Sequence, residues 1–282
     1  MMRVDLHLHS SASDGQYTPT EVVAHAINAG LDIIALTDHD TTAGISEAQS
    51  AASKSGLLLV LAGIELSAED SGGDVHMLGY LIDIEDAAFQ QRLAQFRHDR
   101  QQRGIKILQR LDDLGKGVTW EKVQAIADGG AIGRPHIARA LVEAGHAYSV
   151  KDAFDRYLHN GGPAYVARQR LSPEEAIELI HSAGGVAVLA HPGLLAEPRA
   201  MVQRLVPAGL DGVELVHPMN DAGVRMDLRG MAQQHDLVMT GGSDFHGPDI
   251  KEGAILGSLN PPEGCVAALR ARARRYARRS PG

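Results

Sequence analysis

Residues 5–14 read Asp-Leu-His-Leu-His-Ser-Ser-Ala-Ser-Asp, and this stretch decides how the rest of the chain is interpreted. His7 and His9 lie two residues apart in an apolar run, and residues two apart on a β-strand point to the same face. Their imidazoles would therefore converge on one point, as the ligands of a metal ion must. Asp14 follows where the strand would end. For this stretch alone, two ordinary polar histidines on a strand are the alternative.

Four further segments repeat the same arrangement, a short apolar run followed by His, Asp or Glu. In β/α barrels and doubly wound sheets, the carboxyl ends of the strands carry the chemistry. Repetition on five strands is hard to explain as structural background, so the sequence predicts one shared polar site. The further segments are residues 35–40, 63–67 (with His76 beyond them), 186–192 and 240–246. The nine candidate ligands are His7, His9, Asp14, His39, Glu65, His76, His191, Asp244 and His246.

This set of motifs resembles the PHP family, which is named for polymerase and histidinol phosphatase domains. The resemblance rests on the HxH, Thr-Asp-His-Asp, Gly-Ile-Glu, Ala-His-Pro and Gly-Ser-Asp-Phe-His segments, which span residues 4–247. It implies an α/β fold, a distorted seven-stranded (β/α) barrel. Within the family, the chain looks closest to phosphoesterases that act on nucleotide 3′,5′-bisphosphates and on short RNA 5′ ends.

The resemblance also implies two or three divalent metal ions as cofactors. Glu65 is the natural bridging carboxylate. Family analogy favours Mn²⁺, and a nitrogen and oxygen ligand set without a thiolate also suits Zn²⁺ or Fe²⁺. By resemblance, one metal would use His7, His9, Glu65 and Asp244, a second Glu65, His76 and His191, and a third Asp14, His39 and His246.

Strand and helix signals alternate on both sides of the middle of the chain. Thr18-Pro-Thr-Glu21 and Ser172-Pro-Glu-Glu175 each form a capping box with proline at the first helical position. The alternation predicts parallel strands, with residues 1–85 and 169–282 forming the barrel. Residues 86–168 instead show helical spacing, at Phe89, Leu93 and Phe96 and again at Ile105, Leu108 and Leu111. We interpret them as a helical insertion over the barrel mouth; a helical decoration away from the site is the alternative.

The insertion contains a candidate phosphate-binding segment, Ile132-Gly-Arg-Pro-His136. Proline suits a first helical position, which would place Arg134 at a helix N-terminus, where backbone N–H groups and the helix dipole favour anions. Arginine adds bidentate phosphate recognition. His136 could help to bind phosphate or could face solvent. Ser67 and His217 complete the predicted substrate contacts.

The predicted reaction is hydrolysis of a phosphate ester, whose anionic oxygens repel a nucleophile. Divalent cations neutralise that charge and activate water near neutral pH. We expect His191, Asp244 and His246 to be catalytic, with either histidine able to protonate the leaving group. The expected partner is a small phosphorylated nucleotide, such as adenosine 3′,5′-bisphosphate losing its 3′-phosphate. Short RNA attacked from its 5′ end is a related substrate.

Three other functions stay open from the sequence. Histidinol phosphate phosphatase would use the same site with a different pocket. Metal amidohydrolases have related barrels, but they commonly use a bridging lysine, and no lysine stands out at a strand end. A non-catalytic PHP module would keep the fold and metals as an interaction domain; loss of ligands would signal it, and all nine positions carry competent residue types.

Composition predicts a soluble cytoplasmic enzyme without a membrane partner. The 282 residues are 44% hydrophobic and carry a net charge of −8, so the chain as a whole is not built to cover nucleic acid. No apolar run is long enough to span a membrane, and the first residues do not resemble a signal peptide. Cys265 is the single cysteine, which fits a reducing compartment.

Arginines crowd the C-terminal segment, at positions 270, 272, 274, 275, 278 and 279. A solvated helix is the common fate of such a charge run. Electrostatic contact with an RNA or nucleotide substrate is the alternative.

Overall fold

The computed structural model describes residues 2–70, 73–127, 132–166, 171–250 and 253–276. Seven strands form one sheet in chain order, and a bridge between Leu8 and Phe245 joins its two edges into a nearly closed barrel. The predicted distorted seven-stranded barrel is therefore confirmed. The strands are β1 (Val4–Leu8), β2 (Ile33–Leu36), β3 (Leu59–Asp70), β4 (Gly73–Tyr80), β5 (Val186–Leu189), β6 (Gly212–Val216) and β7 (Val238–Gly241).

One strand departs from the predicted parallel arrangement. β1, β2 and β3 run parallel, as do β5, β6 and β7, but β4 pairs antiparallel with both β3 and β5. The expectation of parallel strands is wrong at this position. A parallel neighbour would need a crossover of a dozen or more residues, whereas β3 ends at Asp70 and β4 begins at Gly73.

Helices cover the outside of the barrel. Both predicted capping boxes are present, at Thr18 and Glu21 and at Ser172 and Glu175. No helix in the described ranges is long and apolar enough to cross a membrane. The covering helices are α1 (Pro19–Asn28), α2 (Ile45–Ser55), α7 (Pro173–Ser182), α8 (Pro198–Leu205), α9 (Ala222–Gln234) and α10 (Cys265–Ala273), with a 3₁₀ turn at Pro192–Leu194.

The middle of the chain is helical and has an apolar core of its own. That core includes Ile107, Leu111, Val123, Ile137 and Leu141. The proposed domain boundaries at residues 86 and 168 stay a prediction, and residue 168 lies outside the described residues. The elements are α3 (Ala87–Asp113), α4 (Trp120–Ala127), α5 (Arg134–Glu143), α6 (Val150–Ala153) and a π-helical turn (Phe154–Leu158).

Two interpretations of helical faces need correction. Ile105 is 42% exposed, because the buried stripe of α3 runs through Gly104, Ile107 and Leu111. Arg272 is buried, with Nη2 donating to Asp236 Oδ2 at 3.0 Å, so the solvated-helix prediction is wrong for this residue. Arg270, Arg274 and Arg275 are exposed, as predicted, and Arg278 and Arg279 lie outside the described residues.

Candidate metal centre

Glu65 lies at the centre of a ring of five histidines. It projects from the middle of β3, and not from the end of the strand as predicted, because β3 continues past it to pair with β4. Glu65 is 1% exposed. Its two carboxylate oxygens face different sets of imidazole nitrogens, so the carboxylate is placed to bridge two metal positions. Oε1 lies 2.9 Å from His76 Nδ1 and 2.9 Å from His191 Nε2, while Oε2 lies 3.1 Å from His39 Nδ1, 3.2 Å from His9 Nε2 and 3.3 Å from His7 Nε2.

Two aspartates extend this ring. Asp244 Oδ1 lies 3.3 Å from His246 Nδ1 and 3.4 Å from His9 Nε2. Asp14 Oδ1 lies 3.4 Å from His246 Nε2 and 3.9 Å from His9 Nδ1. All nine side chains predicted as ligands therefore meet in one cluster, although the assignment of each to a particular metal stays a prediction.

The cluster fits divalent cations because several of its buried polar atoms lack a hydrogen-bond partner in the described part of the chain. These atoms are His7 Nε2, both ring nitrogens of His9, Asp14 Oδ1 and His39 Nδ1. Burying such atoms unsatisfied is costly, and a cation ligated by them would remove that cost. The groups whose ligand atoms lie within 4.8 Å of one another are His9, Asp14, His39 and His246; His7, Glu65 and His191; His7, His217 and Asp244; and His39, Glu65 and His76.

The charges in the cluster also favour bound cations. Burial acts to raise the pKa of the Glu65 carboxyl, but the histidines around it, led by His39, hold that pKa well below its usual range. Burial likewise opposes protonation of His9, yet the carboxylates of Asp244 and Glu65 raise its pKa to about 9. Buried carboxylates that stay ionised attract positive charge, whether from protons or from metal ions.

Two of the predicted ligands have a strained backbone. His191 has φ 28° and Asp244 has φ 54°, in the left-handed region that residues other than glycine seldom adopt. Both follow the C-terminal ends of barrel strands, β5 and β7. Strain of this kind persists where the surrounding structure holds it, and it concentrates at functional sites.

Glu214 is a functional residue that the sequence analysis missed. It lies in β6 and is fully buried, with Oε1 3.0 Å from His7 Nδ1 and Oε2 accepting the backbone N–H of His191 at 2.7 Å. Holding His7 through Nδ1 leaves Nε2 to face Glu65, which is how carboxylates orient metal-binding histidines. An acidic residue inside the apolar run of residues 213–216 was the available signal.

Glu214→Gln is expected to lower metal affinity and activity at limiting metal by about 10–100-fold. The glutamine amide group would face a donor at His7 or at the His191 backbone, so one of the two contacts is lost. Titration of activity with added metal checks this, because excess metal should restore most of the rate. Loss of activity that excess metal does not change would contradict an orienting role.

His217 lies beside the cluster, behind Asp244. Its ring is 2% exposed, with Nε2 3.1 Å from Asp244 Oδ2 and Nδ1 accepting the Met219 N–H at 3.1 Å. Together with His7 and Asp244 it forms one of the possible ligand groups. The predicted phosphate contact stays a prediction.

A cavity leads from the cluster to three arginines, Arg100, Arg103 and Arg134. Asp14, His39 and His76 form one wall, and Ser67, Arg100 and Arg134 lie among its other lining residues. The structure thus places two predicted substrate-binding residues, Ser67 and Arg134, in one cavity with the candidate metal ligands.

Arg100 and Arg134 are each held by a carboxylate. Arg134 Nη2 donates to Asp74 Oδ2 at 2.7 Å, and its Nη1 donates to Asn160 Oδ1 at 2.9 Å. Arg100, which the sequence analysis missed, pairs with Asp40 and donates to Ser67 Oγ at 2.9 Å. These contacts fix both guanidinium groups in the cavity wall, where they can share an anion.

His136 is buried, so the solvent-facing alternative is wrong. Its Nδ1 accepts the backbone N–H of Gly133 at 3.0 Å, in the capping-box position of α5. Burial lowers the pKa of His136 to about 4. The ring is therefore neutral at pH 7, and because Nδ1 is an acceptor, its proton lies on Nε2.

The buried neutral His136 should make the metal-free protein less stable in mild acid. Its unfolded-state pKa of about 6.5 exceeds the folded value, so the unfolded chain binds more protons between those values and stability falls as pH falls through that window. His136→Gln keeps a capping acceptor. Urea unfolding at pH 7.5 and 4.5 should show the variant losing up to about 3 kcal/mol less than the wild type. Equal losses in the two proteins would contradict the burial argument.

The comparisons with known proteins agree with this geometry. The PHP domain family matches residues 5–167. The 5′-3′ exoribonuclease Rnm of Salmonella typhimurium is 40% identical over 249 residues, which cover 86% of this chain and 85% of that protein. The 3′,5′-nucleoside bisphosphate phosphatase of Chromobacterium violaceum is 36% identical over 253 residues, covering 88% of each. A solved structure from Bifidobacterium adolescentis, described as a proposed metal-dependent phosphoesterase, has a TM-score of 0.88 and 35% identity over 96% of both chains.

The family match, the relatives and the similar solved structure all agree with a metal-binding role for the cluster. The matched segment contains the His7 and His9 motif, Asp14, His39, Glu65 and His76. The chain belongs to the PHP family and is a metal-dependent phosphoesterase.

Proposed function

We propose that this enzyme hydrolyses the 3′-phosphoester of nucleotides that carry a 5′-phosphate. Adenosine 3′,5′-bisphosphate represents the small substrates, and 5′-phosphorylated RNA ends represent the larger ones. The observation that carries the proposal is the cavity that joins the metal cluster to Arg100 and Arg134. The relatives named as a 3′,5′-nucleoside bisphosphate phosphatase and a 5′-3′ exoribonuclease support the same substrate pair.

The nine predicted ligands would hold two or three divalent cations, for which we propose Mn²⁺. Bound there, such ions would neutralise phosphoryl charge and supply a nucleophilic water at neutral pH. Glu65, whose pKa the surrounding histidines hold well below its usual range, would stay ionised and help to hold the cations beside the scissile phosphate. Metal content of the purified protein, and reactivation of chelated protein by Mn²⁺, Zn²⁺ or Fe²⁺, tests the identity of the ion.

Arg134, Arg100 and Ser67 would bind the 5′-phosphate at a fixed distance from the cluster. A substrate with both phosphates would then place its 3′-ester at the candidate metal site, while a substrate without the 5′-phosphate would be held less well. His136 Nε2–H offers a neutral donor nearby. Because the arginines would bind the 5′-phosphate and the metal site the 3′-ester, one site would accept both a small bisphosphate and an RNA end.

With two cations bound at Glu65, leaving-group protonation falls to His246 in this proposal, because only the third predicted cation uses His246 as a ligand. Burial lowers the pKa of His191, although hydrogen bonding to Glu65 opposes that effect, so its ring is neutral at pH 7 and suits metal binding. His246 lies between Asp14 and Asp244, with Nε2 3.4 Å from Asp14 Oδ1. Asp244 keeps its proposed catalytic role as the carboxylate facing His7, His9 and His246.

Arg134→Ala and Arg100→Ala test the proposal. Each should lower the preference for adenosine 3′,5′-bisphosphate over 3′-AMP by about tenfold or more, since a charge-assisted hydrogen bond contributes about 1.5–3 kcal/mol. Arg92→Ala, an exposed arginine on the same helix as Arg100, is the matched control and should keep the wild-type preference. If both cavity variants keep that preference as well, the two-phosphate proposal is wrong.

A further inference from the structure

A second cavity opens from the same cluster. Its volume is about 370 Å³, and it shares Asp14, His39, His76, Pro135 and Phe154 with the cavity that contains Arg100. It extends instead toward His191 and His246, beyond the ends of β5 and β7. The candidate metal centre therefore lies where two cavities meet.

Arg139 is the cation of this second cavity. It lies one helical turn after Pro135 on α5, so both residues face the same space. Arg139 is half-buried and has no ion pair or hydrogen bond with any residue in the described ranges. Arg100 and Arg134 of the first cavity, by contrast, are each paired with a carboxylate. A half-buried guanidinium that has no counter-ion among the described residues is suited to bind a phosphate.

The other walls away from the cluster are apolar. Val150, Phe154 and Ile250 are half-buried, and Leu194 is 54% exposed. The ring of Phe154 is a platform on which a nucleobase of any identity can stack. An apolar wall beside the Arg139 guanidinium matches a nucleoside followed by a phosphate.

The two substrate classes differ in what they need beyond the metal centre. In a 3′,5′-bisphosphate, the scissile phosphorus carries no second organic group, and the first cavity accommodates the rest of the molecule. In RNA, that phosphorus also carries the next nucleoside, which must leave the metal centre by another route. The second cavity offers that route.

We propose that the second cavity binds the nucleotide on the 3′ side of the scissile phosphate in 5′-phosphorylated RNA. Arg139 binds the phosphate that follows this nucleotide. Water adds to phosphorus, the bond from phosphorus to the 3′-oxygen breaks, and that oxygen takes the proton. The shortened RNA keeps the phosphate as its new 5′ end, which the first cavity can bind in the next round. This inference rests on the proposed function.

Arg139→Met tests the inference with two substrates, adenosine 3′,5′-bisphosphate and the 5′-phosphorylated trinucleotide pApApA. The ratio of kcat/KM for the trinucleotide to that for the bisphosphate should fall about tenfold or more. Arg139→Lys should recover part of that ratio because it restores the charge. The matched control is Arg199→Met, an exposed arginine on α8 that lines neither cavity, and it should leave the ratio unchanged.

The salt dependence of trinucleotide turnover gives a second readout. Loss of one phosphate contact should reduce the slope of log kcat/KM against log salt by about 0.7. An unchanged ratio together with an unchanged slope in Arg139→Met would overturn the inference, as would an equal fall for both substrates. Failure of the proposed function is separable from these outcomes, because the wild-type enzyme would then turn over neither substrate.

Discussion

Glu65→Gln is expected to remove most of the bound metal and to lower phosphoesterase activity by about a thousandfold or more. The carboxylate lies within 3.3 Å of imidazole nitrogens from five histidines, so its loss affects more than one metal position at once. Metal ions supply several kcal/mol of transition-state stabilisation, and each 1.36 kcal/mol is about tenfold in rate. Glutamine has the same shape, so the barrel should fold normally without metal.

The matched control is Glu69→Gln, the same substitution four residues along β3 and outside the cluster. Metal content by mass spectrometry and turnover of adenosine 3′,5′-bisphosphate should both match the wild type in the control. A Glu65→Gln protein that retains its metal and more than a tenth of the wild-type rate would contradict the bridging role.

Gly242→Ala should destabilise the barrel by about 3 kcal/mol or more and disrupt the position of His7. An added Cβ would lie 2.4 Å from both His7 Cβ and the His7 backbone nitrogen, and no rotation of a flexible side chain can relieve that contact. Overpacking of this kind costs about 1–3 kcal/mol even where neighbours can shift. The close approach occurs where the chain following β7 passes β1, and β1 carries the HxH motif.

Gly230→Ala is the matched control, and it should stabilise the protein where Gly242→Ala destabilises it. Gly230 lies within α9, and an added Cβ there has no heavy atom within 4 Å. The control should gain about 0.5–1 kcal/mol, because alanine favours a helix interior. Chemical denaturation of both variants checks the pair; equal stabilities would show that the β1–β7 approach tolerates a side chain.

The barrel and the cluster were predictable because their signals are local and repeated. Five segments combine a short apolar run with a metal-binding residue, and the carboxyl ends of parallel strands meet at one edge. The two capping boxes were visible for the same reason, since cap and partner lie three residues apart. These features depend on neighbours in sequence, which a single chain displays directly.

What could not be predicted depends on pairings between distant residues. Arg100 acquires its role only because α3 brings it to Asp40, and its position in a run of polar residues gives no hint of this. Glu214 matters because β6 places it against His7, 207 positions away. β4 is antiparallel because only a short connection joins it to β3. The sequence analysis did not recognise β3 and β4 as two strands. In each case, the tertiary fold supplies the partner.

The most direct measurement is phosphate release by Mn²⁺-loaded protein from adenosine 3′,5′-bisphosphate, 3′-AMP, 5′-AMP and histidinol phosphate. The account predicts that the bisphosphate is turned over best, that 5′-AMP is the product, and that Glu65→Gln abolishes the reaction. Equal turnover of 3′-AMP, or a preference for histidinol phosphate, would contradict the claim that a second phosphate positions the substrate at the metal centre.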